Sequence, residues 1–295
     1  MLGLEIRDTA AVAVLVDDRG QIIARAQAGP SDPMAAASDV LGQIAPSNLV
    51  PGAFGVASLH PDSPAVAEVV KALSSRFAGL FLSEEPVASG PAAAVAEAWI
   101  GAARDSDDVV YFSIGEHALS GVIRGRAIAT GAHHRAPAVA WLALNPVDRE
   151  DYRKIGCLEA EVAAAGIVRR LIWRIKAGDE SRIQRAVGDN LAAMTIDHVL
   201  EGARLGDGLA ISVVRDTVKY LGMAAANLVA IVDPQTLVLG GLMASSADLL
   251  FEPVRVEIAR LLPPPMVTPL TIVAAALGDD AAAIGAARLA AVALQ

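Results

Sequence analysis

Two short meanders of β-prone residues, one over 2–26 and one over 109–130, set the possibilities for this chain. The first has runs at 2–6, 11–16 and 21–26, parted by Arg7-Asp8-Thr9 and by the turn-forming Asp17-Asp18-Arg19-Gly20. The second has runs at 109–115, 121–124 and 126–130. An echo of strand length and turn spacing is the mark of an internal repeat. After the first meander the spacing predicts a helix over 33–44, a strand over 52–58 and a helix over 63–77. That last helix carries Val66, Val69, Val70 and Leu73 on one face. A strand over 80–87 and a helix reaching 103, with Pro91 in its first turn, follow. Beyond the second meander, 136–155 is irregular, and helices are expected over 158–176, 182–205 and 207–232. The chain then turns at Asp233-Pro234, forms a strand over 236–239 and breaks at Gly240-Gly241. A helix over 247–262, a strand over 270–275 and a helix over 279–294 complete it. The pattern predicts an α/β chain of two lobes. Residues 1–103, completed by the C-terminal helix (279–295), form the first; residues 104–278 form a larger second.

With 295 residues, 54% of them hydrophobic, the chain is long enough to bury a sizeable core. Its apolar stretches are short or interrupted, as at Asn227 and Arg288, so no membrane span is expected. A net charge of −9 argues against a nucleic-acid partner, which needs clustered Lys and Arg. The basic run Arg169-Arg170-Leu171-Ile172-Trp173-Arg174 and the one at 182–185 read as solvated helix faces. The single Cys157 excludes a disulfide within the chain, and no secretion signal precedes the first strand; a cytoplasmic protein is expected.

Three stretches carry a resemblance. The first is Leu228-Val229-Ala230-Ile231-Val232-Asp233-Pro234-Gln235-Thr236-Leu237-Val238-Leu239-Gly240-Gly241. The second is Gly278-Asp279-Asp280-Ala281-Ala282-Ala283-Ile284-Gly285-Ala286-Ala287, where Asp279 is placed to cap a helix and Gly285 to permit close packing. The third is Gly156-Cys157-Leu158-Glu159. With Leu4-Glu5-Ile6-Arg7-Asp8-Thr9 and the 109–127 region, the chain resembles the ROK family of bacterial sugar kinases and sugar-responsive repressors nearly end to end. The resemblance implies an actin-like, sugar-kinase fold of two ribonuclease-H-like lobes facing a cleft, and commonly a homodimer.

It also implies where the family's sites fall. Family kinases carry an Asp-Ile-Gly-Gly-Thr phosphate loop, matched here by Glu5-Ile6-Arg7-Asp8-Thr9. Thr9 survives, but Arg7 and Asp8 replace the glycines, and Arg7 is expected to pair with Asp8 or Glu5. The second phosphate loop matches Gly115-Glu116-His117-Ala118-Leu119-Ser120-Gly121, which keeps only the end glycines. Gly240 and Gly241 match the adenosine end, where a glycine pair lets backbone approach a ligand. The family's Asn-Asp-Ala-Asn run, whose Asp is the catalytic base, falls on Ala88-Ser89-Gly90-Pro91. Ser89 is no general base near neutral pH and reads instead as a helix N-cap. The family's zinc ligands, one His and three Cys, correspond to Trp141, Glu150, Tyr152 and Cys157, so no zinc is expected. Among sugar contacts Glu159 is retained, while Gly-Glu-x-Gly-His becomes Pro137-Ala138-Val139-Ala140-Trp141. Trp141 either stacks on a sugar or fills the space left by zinc.

Three readings stay open. The first is a ROK-like protein that has lost kinase chemistry, a pseudokinase or sugar-sensing module with a small sugar-like ligand and no cofactor. In it ATP binds no better than adenosine. Because the sequence starts at the first strand, no DNA-reading element is expected. The second is an ATP- and magnesium-dependent kinase of glucose, N-acetylmannosamine or a similar hexose. The third is a structural dimerisation protein.

Overall fold

The computed structural model describes residues 1–44, 52–76, 81–82, 85–188 and 190–294, with 76, 81 and 82 described by backbone alone. They divide into two compact units. One comprises Met1–Tyr111, Gly121–Pro137 and Ala275–Gln295, the other Phe112–Ser120 and Ala138–Ala274.

The first sheet contains β1 (Leu2–Ile6), β2 (Ala11–Val16), β3 (Ile22–Ala28), β4 (Ala53–Ser58), β5 (Phe81–Leu82) and β6 (Val87–Ala88). Its order is β3-β2-β1-β4-β5, with β6 also on β4. The meander is antiparallel, whereas β4 runs parallel to β1, β5 and β6. Strands β1, β2 and β4 are buried on both faces, which is why they read as continuous apolar runs rather than alternating ones. Leu2, Leu4, Ile6, Phe54 and Val56 join the core beneath helices Pro33–Ile44 and Pro64–Arg76.

Gly3 and Gly55, side by side in register, point to the other face. There they leave a bare strip of backbone on which helix Ala281–Ala293 lies. A Cβ on Gly3 would stand 1.8 Å from the Ala283 carbonyl oxygen, and one on Gly55 would stand 1.9 Å from that of Ala286. On the helix's other side Gly285 meets helix Ser89–Trp99, where a Cβ on it would stand 1.8 Å from the Ala92 carbonyl oxygen. Gly285 thus permits the expected close packing. Asp279 does not cap the helix: it sits in a 3-10 turn, Gly278–Asp280, and its carbonyl accepts from Arg7.

The second sheet has the order β11-β10-β7-β8-β9, from β7 (Val109–Ile114), β8 (Ala118–Arg124), β9 (Ala127–Ile128), β10 (Thr236–Gly241) and β11 (Thr271–Ala274). Pairing is parallel for β10 with β11 and antiparallel for β8 with β9. The second phosphate loop expected at 115–121 is therefore a three-residue hairpin turn, since β8 already begins at Ala118. Helix Gly208–Val232 packs against Phe251–Leu261, Ile196–Arg204, Ala164–Lys176 and Cys157–Val162. It ends at Asp233 in a left-handed conformation (φ 52°), where the turn was expected.

Several expected elements are cut differently. The helix over 158–176 is two, Cys157–Val162 and Ala164–Lys176, with Ala163 extended between them. That over 182–205 breaks into Arg182–Ala186, a 3-10 turn Leu191–Ala193 and Ile196–Arg204. Thr195 and His198 form a capping box that starts the last piece. The irregular 136–155 stretch contains a 3-10 turn, Val139–Trp141, and a helix, Glu150–Ile155, and the helix over 247–262 spans Phe251–Leu261. The strand over 80–87 is realised as β5 and β6; residues 77, 80, 83 and 84 lie outside those described.

Candidate functional site

The turn from β1 to β2 is closed by its own residues. The Arg7 N–H donates to the Ala10 carbonyl at 2.8 Å, a tight connection between antiparallel strands. Glu5, 3% exposed, receives the Arg7 guanidinium through Oε2 at 2.9 Å, and the same guanidinium donates to the Asp279 carbonyl at 2.8 Å. Of the two expected partners, Arg7 takes Glu5. Asp8 instead stands 3.2 Å from His60 Nε2. Thr9 is exposed, and its carbonyl accepts from the Ser31 N–H at 2.9 Å.

Ser89 is 1% exposed and opens helix Ser89–Trp99 as its first residue, behind Ala88 at the cap position. No side chain caps that helix, so Ser89 is not the N-cap expected of it. Its Oγ is buried without a hydrogen-bond partner among the described residues. Two turns along, Glu97 is fully buried. Its carboxylate accepts the backbone N–H groups of Ala102, Ala276 and Leu277. Glu97 anchors the chain rather than facing a ligand, and nothing in its spacing signalled that role.

In the other unit, three residues expected at ligand sites gather at the end of β7. Gly115 opens the hairpin turn; its N–H donates to the His117 carbonyl, and its carbonyl accepts from Ala164 N–H at 2.9 Å, the start of helix Ala164–Lys176. Glu159 turns toward the same hairpin. Its Oε1 lies 3.1 Å from His117 Nδ1, and its Oε2 accepts the Ala118 N–H at 3.1 Å. Gly241, at φ 60°, lies beside them: a Cβ there would sit 2.0 Å from the Ile114 carbonyl oxygen. The absence of a side chain at Gly241 is thus used for strand packing. Gly240 is buried in β10.

Trp141 is 56% exposed, so its indole does not fill a space left by a metal. Its turn lies against Gly156 (φ +93°), where a Cβ would come within 2.2 Å of the Ala140 oxygen. Glu150 is exposed and pairs with Lys154 at 2.7 Å. Cys157 is buried with Tyr152 and Ala160.

Tyr152 donates its hydroxyl to Glu161 Oε1, which Arg149 also reaches at 3.0 Å. Burial first, and that hydrogen bond second, hold the Tyr152 phenol well above its ordinary range. Arg170 closes on Glu161 Oε2 and on its carbonyl, and also reaches Thr217. Arg170, expected to be solvated, is therefore tied into this network, and its neighbour Arg169, with the same expectation, donates to the Ala160 carbonyl and pairs with Asp151 at 2.9 Å. Neither the Arg149–Glu161 nor the Glu161–Arg170 spacing follows a helical period, so no local signal marked the cluster. Arg149, Glu161 and Arg170 also wall an open cavity of about 420 Å³ with Asn145, Asp216 and Tyr220.

Solved structures of the same architecture fix its class. A ROK family glucokinase from Streptomyces griseus, in complex with glucose and AMPPNP, matches with a TM-score of 0.81 over 99% of both chains at 23% identity. A ROK family transcriptional regulator, a homolog of the Escherichia coli MLC protein, gives 0.80 over all of this chain and 78% of that one, at 18% identity. The fold is the α/β, actin-like fold of the sugar kinases.

Sequence narrows the class. The ROK family profile matches residues 60–293, and the chain belongs to that family. It is 28% identical over 195 residues to a glucokinase of Halalkalibacterium halodurans, covering 65% of this chain and 59% of the relative. It is also 28% identical over 149 residues to an N-acetylglucosamine repressor of Escherichia coli O6:H1, covering 50% of this chain and 35% of the repressor. The match thus spans about three-fifths of the glucokinase's length and about a third of the repressor's.

Proposed function

We propose that this ROK-family protein binds a sugar-like ligand without phosphorylating it, acting as a sensing module related to the family's repressors. One observation carries the reading: where the resemblance calls for a carboxylate base, Ser89 stands buried, its hydroxyl without a partner among the described residues. A hydroxyl of ordinary pKa cannot take a proton from a sugar alcohol near neutrality, and loss of a general base costs about 10²–10⁴-fold in rate. The first hairpin adds support. In place of glycine N–H groups free to face a phosphate, Arg7 is folded onto Glu5 and Asp279, and the Asp8 carboxylate repels an anion. On this reading no zinc, ATP or magnesium is required, and the protein works as a cytoplasmic homodimer without binding DNA through these residues. Among the described residues no helix is long and apolar enough to cross a membrane.

The glucokinase relatives favour the second reading, an ATP-dependent hexose kinase. A coupled ADP-release assay over hexoses and aminosugars separates the two. The sensing reading expects no ATP-dependent turnover, together with thermal stabilisation by at least one sugar; a ligand at 100 times its Kd adds about 2.7 kcal/mol. Robust turnover that requires ATP and magnesium would overturn it, and stabilisation by no sugar, sugar phosphate or nucleotide would leave the structural dimer.

A further inference from the structure

The zinc that the family resemblance implies does not fit the residues standing at its ligand positions. Trp141 offers only a donor N–H, Glu150 is exposed and paired with Lys154, and the Tyr152 hydroxyl is engaged as a hydrogen-bond donor to Glu161. That leaves Cys157, where a structural zinc takes four N or S ligands. Among the described residues, no three His, Cys, Asp or Glu side chains are placed to share an ion.

We propose that an arginine–glutamate clamp does here what a metal would otherwise do, with Glu161 as the positioning residue for Glu159. Helix Cys157–Val162 is six residues long, so its last carbonyls have no partner inside the helix. The next helix supplies them: Arg169 Nη2 donates to the Ala160 carbonyl and Arg170 Nη2 to the Glu161 carbonyl, each at 2.6 Å. Asp151 holds Arg169 at 2.9 Å, while the Glu161 carboxylate fixes Arg170 in return. It accepts Arg149 and Tyr152 on one oxygen and Arg170 on the other. Aromatic rings brace the set, the Arg149 guanidinium lying 4.8 Å from the ring centroids of both Tyr152 and Trp173, and that of Arg169 5.4 Å from Trp173. A buried carboxylate is tolerated only when paired and hydrogen-bonded, and this one is both. Glu159 lies two residues before Glu161 on the same short helix. Fraying of that helix carries Glu159 away from His117 and the Ala118 N–H.

The clamp concerns the protein's own geometry, so its test needs no sugar, and its failure is separable from failure of the functional reading. His117 reports Glu159 directly, since its Nδ1 lies 3.1 Å from the carboxylate. In NMR spectra of the full chain, Glu161→Gln is expected to move the His117 ring signals toward their position in Glu159→Gln. It should also lower the unfolding midpoint by on the order of 10 °C, and Glu161→Asp should fall between it and wild type. Incubation with EDTA should leave signals and midpoint unchanged. If Glu161→Gln does not fold, Arg170→Lys, which keeps the charge and loses the fork, is expected to show a smaller shift in the same direction. His117 signals that stay at their wild-type positions in the folded variants would overturn the clamp. So would bound zinc whose removal by EDTA displaces those signals.

Discussion

Glu97 holds Ala276 and Leu277 through a single carboxylate oxygen, each backbone N–H donating to Oε1 at 2.9 Å across 179 and 180 residues of sequence. The other oxygen accepts the Ala102 N–H at 2.8 Å. The side chain is fully buried, and a Cβ on the neighbouring Gly101 would lie 2.1 Å from Oε2, so no water can take its place. Glu97→Gln keeps the shape but points an amide donor at one of these N–H groups. Its expected cost is about 3 kcal/mol, with Glu97→Ala costing more, because each buried N–H left unsatisfied costs about 1–3 kcal/mol. Urea unfolding measures this, and a variant within experimental scatter of wild type would show that the anchor is dispensable.

The bared strip under helix Ala281–Ala293 makes a paired prediction. Gly55→Ala places a methyl 1.9 Å from the Ala286 carbonyl oxygen, an overlap that only displacement of the helix relieves. Overpacking of this kind costs about 1–3 kcal/mol, and the immobile backbone on the far side puts Gly55→Ala at the upper end. Among the described residues, nothing lies within 4 Å of a would-be Cβ on Gly42, inside helix Pro33–Ile44. Gly42→Ala is therefore expected to stabilise by about 0.5–1 kcal/mol, since alanine loses less backbone entropy in a helix. Thermal denaturation of the two variants should move in opposite directions; a shared direction contradicts the packing.

What the sequence discloses about this fold is what is encoded locally. The first meander, the glycine-ended strand β10 and the long helix Gly208–Val232 follow from period and turn chemistry within a few residues. The interruption at Ala163 has no such signal, because its causes lie elsewhere. Gly166 sits where a Cβ would be 2.3 Å from the Ala160 carbonyl, and Arg169 and Arg170 fold back onto the preceding helix. The break in 182–205 did leave marks in Gly188, Asn190 and Thr195, but the apolar spacing on either side masked them. At the candidate site, the exchanges at Arg7, Asp8 and Ser89 were legible against the family pattern. So was Glu5 as a partner of Arg7; the further contact of Arg7 to Asp279 and that of Glu159 to His117 were not, since each joins residues distant in sequence.

Ser89 gives the next expectation. Its hydroxyl is buried with no acceptor or donor among the described residues, and such a group forfeits its water without replacement, at about 1–3 kcal/mol. Ser89→Ala removes that penalty and is expected to stabilise by about 1 kcal/mol. Ser89→Asp, which installs the residue type the family uses there, puts an unpaired carboxylate in the same buried position and is expected to destabilise by about 3 kcal/mol. Comparing the two midpoints with wild type checks both signs. A destabilised alanine variant would mean the hydroxyl has a partner in solution.

Tyr152 makes stability depend on alkaline pH. Burial and the hydrogen bond to Glu161 raise its phenol in the folded chain above the unfolded value near 10. The folded state therefore holds this proton more tightly. Below about pH 10 both states keep it, and its contribution is complete. Above that, the unfolded chain ionises first, so stability falls by up to about 1.4 kcal/mol per pH unit until the folded phenol also titrates. Tyr152→Phe abolishes this slope. At neutral pH it costs about 1–2 kcal/mol, since Glu161 loses a donor while Arg149 and Arg170 remain. Urea unfolding at a series of pH values from about 8 to about 11 separates the two effects, the variant starting lower and then declining less steeply than wild type. Parallel pH profiles would mean that Tyr152 ionises as freely in the folded protein as in the unfolded one, and that the hydroxyl is not held by Glu161.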